Sequence, residues 1–428
     1  MIRRLGISPR GWMIIAAGFT LMGLGTGASF TIGVFLKPLA QDFGWSRSEI
    51  SLAYSLNMLV LGACSFIMGS LSDRWGAARV LLVGSLIMAL GMYLNSHISA
   101  VWQFYLFYGF LLGVGKASYH APLMSYIARI FNKKRGLAVG LIFAGTGIGL
   151  FALAPLTRYL ISSYGWRLTF VILASGFIVL ALPAIWVFRE KTGQVVERGE
   201  EMSPNGSSDG APAELAPPER FHWKNRTYWT LCGLHYFDCI CHSVPLVHVV
   251  AYATDKNMTP EQGAGVLGLV GLSAIVGRVT LSSLTDRIGS RNGLMLTLFL
   301  QTGMIPFLMI SNSLTMFYIF AVVFGFGWGG NSPMYPLLTR EYFGPKRLGA
   351  IYGGTVVAAS LGMGAGGYMG GLLFDISGTY QYSLLFSLTA GLISIALIPF
   401  LKPIRKRQVR ARVLHPAHAS IPAAAVEL

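Results

Sequence analysis

Charge is scarce in this sequence: Asp, Glu, Lys and Arg make up 12% of 428 residues, while 54% are hydrophobic. Ordinary soluble domains carry about 25% charged residues, so the composition excludes a soluble globular chain. Acidic residues are the scarcer sign, 17 against 33 basic ones, and only Asp238 lies deep in an apolar run. That leaves no carboxylate-rich cage for a hard cation. Cysteine is equally sparse. Cys64, Cys232, Cys239 and Cys241 all fall inside apolar runs, which excludes an extracellular disulfide framework and a CxxC metal knuckle. A phosphate-binding loop is missing too. In "FLLGVGKA", Phe110 stands at the first glycine position of G-x-x-x-x-G-K-[ST] and Ala117 at the hydroxyl position. No nucleophile–base set or cofactor motif stands out, so neither an enzyme nor a bound cofactor is expected.

Long apolar runs fill the chain instead. A spanning helix needs roughly 20 mostly apolar residues. Twelve runs qualify, near 11–36, 47–70, 79–98, 101–128, 136–160, 166–188, 226–252, 261–284, 292–310, 314–339, 348–373 and 380–402. The sequence predicts an all-α membrane protein with twelve transmembrane helices. Arg3, Arg4 and Arg10 precede a run too long for a signal peptide and without a small-residue cleavage site, so it reads as an uncleaved first helix. The net charge of +16 is an orientation signal rather than a nucleic-acid footprint. With both termini cytoplasmic, 26 of the 33 Lys and Arg fall on cytoplasmic segments. Residues 189–225 are rich in Pro, Gly, Ser and charge and read as a flexible cytoplasmic linker. They divide a six-helix half at 1–188 from another at 226–402, with a basic cytoplasmic tail at 403–428.

The halves repeat each other. "GSLSDRWGAAR" at 69–79 is echoed by "SSLTDRIGSRN" at 282–292, so that Asp73-Arg74-x-Gly76 recurs as Asp286-Arg287-x-Gly289. Gly113 and Gly115 of helix 4 fall opposite Gly325 and Gly327 of helix 10. Two related halves around a central cavity is a recurring transporter plan. "GSLSDRWGAAR" resembles the signature of the major facilitator superfamily, and its weaker copy sits where that family has it, between helices 8 and 9. The resemblance implies the major facilitator fold, with two pseudo-symmetric six-helix halves that rock in alternating access. Asp73, Arg74, Asp286 and Arg287 are then gating residues. Glycines at GxxxG spacing, Gly145 and Gly149, then Gly362 and Gly366, suit either static close packing or sliding of helices.

Two cations interrupt the apolar helices. A charge at the bilayer centre costs roughly 2.5–3.5 kcal/mol on insertion scales, so Lys116 and Arg278 are expected to face an interior cavity. His120 is one turn from Lys116 on the same face, and Tyr119 is three residues away. Arg278 lies eight residues before Asp286. An arginine at that place in "GRVTLSSLTDRIG" is similar to the pattern of monocarboxylate and oxalate/formate porters, and "DFGWSRSEIS" resembles bacterial members of that branch. The resemblance implies that Arg278 pairs with a substrate carboxylate. It also suggests a prokaryotic inner membrane, or an internal membrane derived from it. Lys116 departs from the usual pattern; it can meet a second carboxylate or serve as a structural partner of Asp238. Asn57 and Asn331 are further candidates for substrate binding.

Helix 7 contributes Asp238 and His235 as candidate proton carriers. Lys116, Arg278 and Asp238 together leave one net positive charge, enough for one monocarboxylate. The expected function is therefore proton-coupled symport of a small organic anion by a monomer embedded in the lipid bilayer. An alternative comes from His235, Cys239 and His242, which share one helix face and carry transition-metal donors. It is an iron or other metal transporter of the same superfamily, as in magnetosome-type permeases. A non-transporting receptor on this fold fits the duplicated Asp-Arg-x-Gly turn poorly.

Overall fold

The computed structural model describes residues 7–131, 135–189, 225–344 and 348–401. Most of the expected linker and the whole basic tail lie outside the described residues. All regular structure among the described residues is helical. The chain runs α1 (Pro9–Phe30), α2 (Ile32–Phe43), α3 (Arg47–Trp75), α4 (Ala77–Asn95), α5 (Val101–Phe104), a π-helical stretch (Tyr105–Leu111) and α6 (Leu112–Ile130). It continues through α7 (Arg135–Trp186), α8 (Arg226–Asp255), α9 (Pro260–Ile288) and α10 (Ser290–Ile310). The last elements are α11 (Leu314–Asn331), α12 (Met334–Phe343), α13 (Leu348–Ser377), α14 (Tyr380–Leu397) and a 3-10 turn (Ile398–Phe400). Among the described residues, nine helical stretches are long and apolar enough to cross a membrane.

Local chemistry sets the ends. Ser46 and Glu49 form a reciprocal capping box at the start of α3, and Thr259 and Gln262 another at α9. The expected helices at 136–160 and 166–188 are joined without a loop in α7, whose 52 residues would span about 78 Å unbroken. Gly165, at φ +76°, divides it. The repeated turn appears as one backbone corner made twice. Gly76 (φ +85°) links α3 to α4 and Gly289 (φ +84°) links α9 to α10. A Cβ at either position would meet nothing within 4 Å, so the left-handed backbone, not crowding, demands glycine there.

Three spans are discontinuous, and the breaks lie beside the buried polar residues. Thr31 separates α1 from α2, and the Tyr108 hydroxyl reaches the carbonyls of Ala28 and Ser29 at 2.9 and 2.8 Å. Such carbonyls must find a donor inside the membrane. The π-helical stretch that carries Tyr108 precedes α6, and Ser332-Pro333 separates α11 from α12. Pro333 has no N–H to continue the ladder.

Helices before residue 189 meet helices after residue 225 where α3 packs on α13, α7 on α9 and α2 on α8. At the end opposite the Gly76 and Gly289 corners, charges join them. Asp255 accepts from Lys37 Nζ at 2.7 Å and from Arg47 at 2.7 and 3.2 Å. Asp375 caps the α3 N-terminus, taking the N–H groups of Arg47 and Ser48 at 3.1 and 2.7 Å. Arg158 Nε donates to Glu261 at 3.0 Å. The GxxxG glycines pack helices within each set of six: Gly145 and Gly149 lie on the α1 backbone at Phe19 and Gly23, Gly362 and Gly366 on α8 at Tyr236 and Ile240. Other glycines bring the two sets close together, among them Gly147 against Gly271, Gly33 against Val247 and Gly371 against Arg47 and Ser51.

Candidate functional site

Lys116 stands on the first turns of α6 and is 4% exposed. Among the described residues its polar contact is Met58 Sδ at 4.0 Å, and its ammonium lies 5.8 Å from the centroid of the Phe30 ring. A thioether is a weak acceptor and a ring face a partial counter-charge. Neither replaces the oxygen partners an ammonium has in water.

His120 follows one turn on, its ring 6.0 Å from that of Phe143. Arg278 of α9 reaches the same residue from another side: Nη1 donates to the Phe143 carbonyl and to Thr146 Oγ1 at 2.7 Å. Arg278 Nε, also buried, has no hydrogen-bond partner among the described residues. Arg278 thus bridges to α7 while part of its guanidinium remains uncommitted. Tyr119 turns elsewhere, into α4, where its hydroxyl is 2.6 Å from Ser85 Oγ, and it stacks on Phe177. Asn57 ties α3 to the Tyr108 carbonyl at 3.1 Å and to Ser29 at 3.3 Å. His120 and Arg278 meet at Phe143, Lys116 one turn away lies against Phe30 and Met58, and Tyr119 and Asn57 are placed in helix packing.

Asp238 occupies a separate cluster on α8 and is 1% exposed. It does not pair with Lys116. Its carboxylate accepts from Gln301 Nε2, from Asn331 Nδ2 at 2.8 Å and from Tyr335 Oη at 2.9 Å. His242 Nδ1, one turn along, is 3.5 Å from the same carboxylate. Asn331 is held in turn by Gln301 and Thr297 at 3.0 and 2.7 Å. Three neutral donors from three helices satisfy the charge where water is absent.

His235 stacks on Tyr335 with ring centroids 3.7 Å apart, while His242 faces Asp238. Among the described residues no three His, Cys, Asp or Glu side chains converge on a metal position, so the geometry does not favour the set His235, Cys239 and His242 as ligands. Arg74 and Arg287 sit in the last turns of α3 and α9 beside the two glycine corners. The side chains of Asp73 and Asp286 lie outside the described residues.

Sequence reasoning did not single out Gln301, Tyr335, Phe30, Tyr54 or Trp328. One signal for Trp328 was present: the glycine register that matches helix 4 to helix 10 sets it opposite Lys116.

Comparison with known proteins agrees with this architecture. The profile of the Major Facilitator Superfamily matches residues 13–353 and 245–424. Monocarboxylate transporter 13 of Rattus norvegicus is 28% identical over 382 residues, covering 87% of this chain and 84% of the relative. Monocarboxylate transporter 2 of Homo sapiens is 24% identical over 388 residues, covering 87% and 81%. A bacterial homolog of the human lysosomal transporter Spinster, solved inward-facing and unoccupied, superposes with a TM-score of 0.63 at 16% identity, over 92% of this chain and 95% of that one. The chain is a multi-pass membrane protein that belongs to the Major Facilitator Superfamily: a transporter, not an enzyme.

Proposed function

We propose that the protein carries a small monocarboxylate across the membrane by alternating access, in symport with a proton. The observation that carries this reading is Lys116, a buried ammonium whose only described polar contact is a thioether. Arg278, with an uncommitted Nε, adds a second positive group, and a planar fork of this kind suits a carboxylate. The relatives named above are monocarboxylate transporters, in line with that chemistry. Asp238 is the proton carrier and His242, 3.5 Å away, its exchange partner. His235 is a further candidate. Asp73, Arg74, Asp286 and Arg287 gate the cytoplasmic side, and the charge cluster around Asp255 closes the other. The protein works as a monomer with both termini cytoplasmic, in a prokaryotic inner membrane or one derived from it.

Counterflow in proteoliposomes tests the reading. Preloaded lactate or propionate should drive uptake of labelled monocarboxylate, and an inward proton gradient should accelerate net entry. Absence of carboxylate exchange from correctly folded protein would overturn the assignment.

A further inference from the structure

Lys116 and Trp328 stand at equivalent positions of the two halves, each directly after a Gly-x-Gly, Gly113/Gly115 and Gly325/Gly327. They also meet at one residue. Phe30, the last residue of α1 before the Thr31 break, has Lys116 Nζ 5.8 Å from its ring centroid. The Trp328 indole lies edge-on to the same ring at 6.1 Å. Tyr54 is 5.8 Å from Phe30, and His242 is 6.1 Å from Trp328. One half supplies a cation and the other an indole, with Phe30 and Tyr54 extending the aromatic wall. The group is closed from solvent: Tyr54 is 0% exposed and Trp328 7%. Among the described residues, two of its polar atoms lack a hydrogen bond of normal geometry. These are Tyr54 Oη, which faces Ser243, and His242 Nδ1. The Ser243 hydroxyl is itself committed to the Met363 carbonyl at 2.7 Å.

A two- or three-carbon acid would use the ammonium and gain nothing from the aromatic rings beside it. A flat ring carried beyond the carboxylate would meet those rings, because aromatic edges and faces attract beyond the area they bury. We infer that the transported anion is an aromatic monocarboxylate, its carboxylate against Lys116 and Tyr54 Oη and its ring against Trp328 and Phe30. This rests on the monocarboxylate reading above and narrows it.

The test compares three acids as inhibitors of counterflow by the full chain in proteoliposomes: propionate, cyclohexylacetate and phenylacetate. Cyclohexylacetate has the bulk of the ring without its quadrupole. Phenylacetate should inhibit at a concentration about five- to tenfold below propionate, and below cyclohexylacetate as well. Trp328→Leu should bring the phenylacetate and cyclohexylacetate constants within about twofold of each other, and Trp328→Phe should restore part of the difference. Equal inhibition by all three acids in the unaltered protein would overturn the inference while leaving monocarboxylate transport standing. So would a Trp328→Leu variant that keeps the full preference for phenylacetate. If none of the three acids is exchanged or inhibits, the monocarboxylate reading fails and this inference with it.

Discussion

Lys116 and Asp238 are opposite charges buried almost alike in opposite halves, 4% and 1% exposed, yet their surroundings differ. Asp238 receives donors from Gln301, Asn331 and Tyr335 and has His242 within 3.5 Å. Among the described residues Lys116 has a thioether and a ring face. A carboxylate so surrounded is stable without a visitor and has a neighbour with which to exchange a proton. A bare ammonium is costly until an anion arrives. Under the proposed function, the contrast assigns cargo binding to one half and proton handling to the other.

The strongest way to break that comparison is Lys116→Met, which keeps the length and removes the charge. Losing one partner of a buried charged contact costs about 2–5 kcal/mol, so the kcat/KM for monocarboxylate exchange should fall roughly 100-fold. The thermal unfolding midpoint in detergent should hold or rise, since an apolar replacement relieves an uncompensated charge. Exchange near the unaltered level would remove Lys116 from the site.

Asp238→Asn tests the other side. For one-to-one symport, an inward gradient of one pH unit supports about tenfold accumulation, the equivalent of 1.36 kcal/mol. The variant should retain exchange at equal pH and lose this accumulation, measured as the internal-to-external ratio at steady state. Accumulation that persists would move the proton to another group, His235 first.

Arg278→Lys sharpens the site's geometry. The substitution keeps the charge and loses the planar fork that now holds the Phe143 carbonyl and Thr146. Exchange should weaken roughly tenfold, the size of one hydrogen bond to a charged group. A change below twofold would mean that charge alone suffices there.

The smallest effect is expected at the far end of the bundle. Arg47→Gln loses the two contacts with Asp255 and the stacking of the guanidinium 3.5 Å over Phe374. Partly exposed pairs are worth about 0.2–1 kcal/mol, so the population open at that end should rise roughly two- to fivefold. The labelling rate of Ser55→Cys by a membrane-impermeant maleimide reads it, and an unchanged rate would show that other contacts hold the end closed.

Much of the architecture was legible because it is written in local patterns. Apolar runs mark the helices, and the glycine corners at Gly76 and Gly289 follow from a motif repeated at a fixed offset. The site was legible only in part. Lys116, Arg278 and Asp238 stood out because charges are rare in such helices. Tyr119 was grouped with Lys116 on spacing, but successive residues on a helix turn by about 100°, so Tyr119 and His120 cannot both look the same way. The structure turns Tyr119 to Ser85. The partners of Asp238 come from residues 63, 93 and 97 positions away, and no local pattern announces them.

The sequence by itself determined that this chain crosses the membrane repeatedly in two related halves, since transfer of apolar runs into lipid depends on composition and length alone. It also marked which charges are buried: Lys116, Arg278 and Asp238 are all 5% exposed or less. Only the tertiary structure decided that Asp238 is held by Gln301, Asn331 and Tyr335 while Lys116 faces Phe30 instead of a carboxylate. Those choices depend on how helices far apart in the chain rotate and pack, because a buried polar group is satisfied by whatever its neighbours present, and the neighbours are set by the fold.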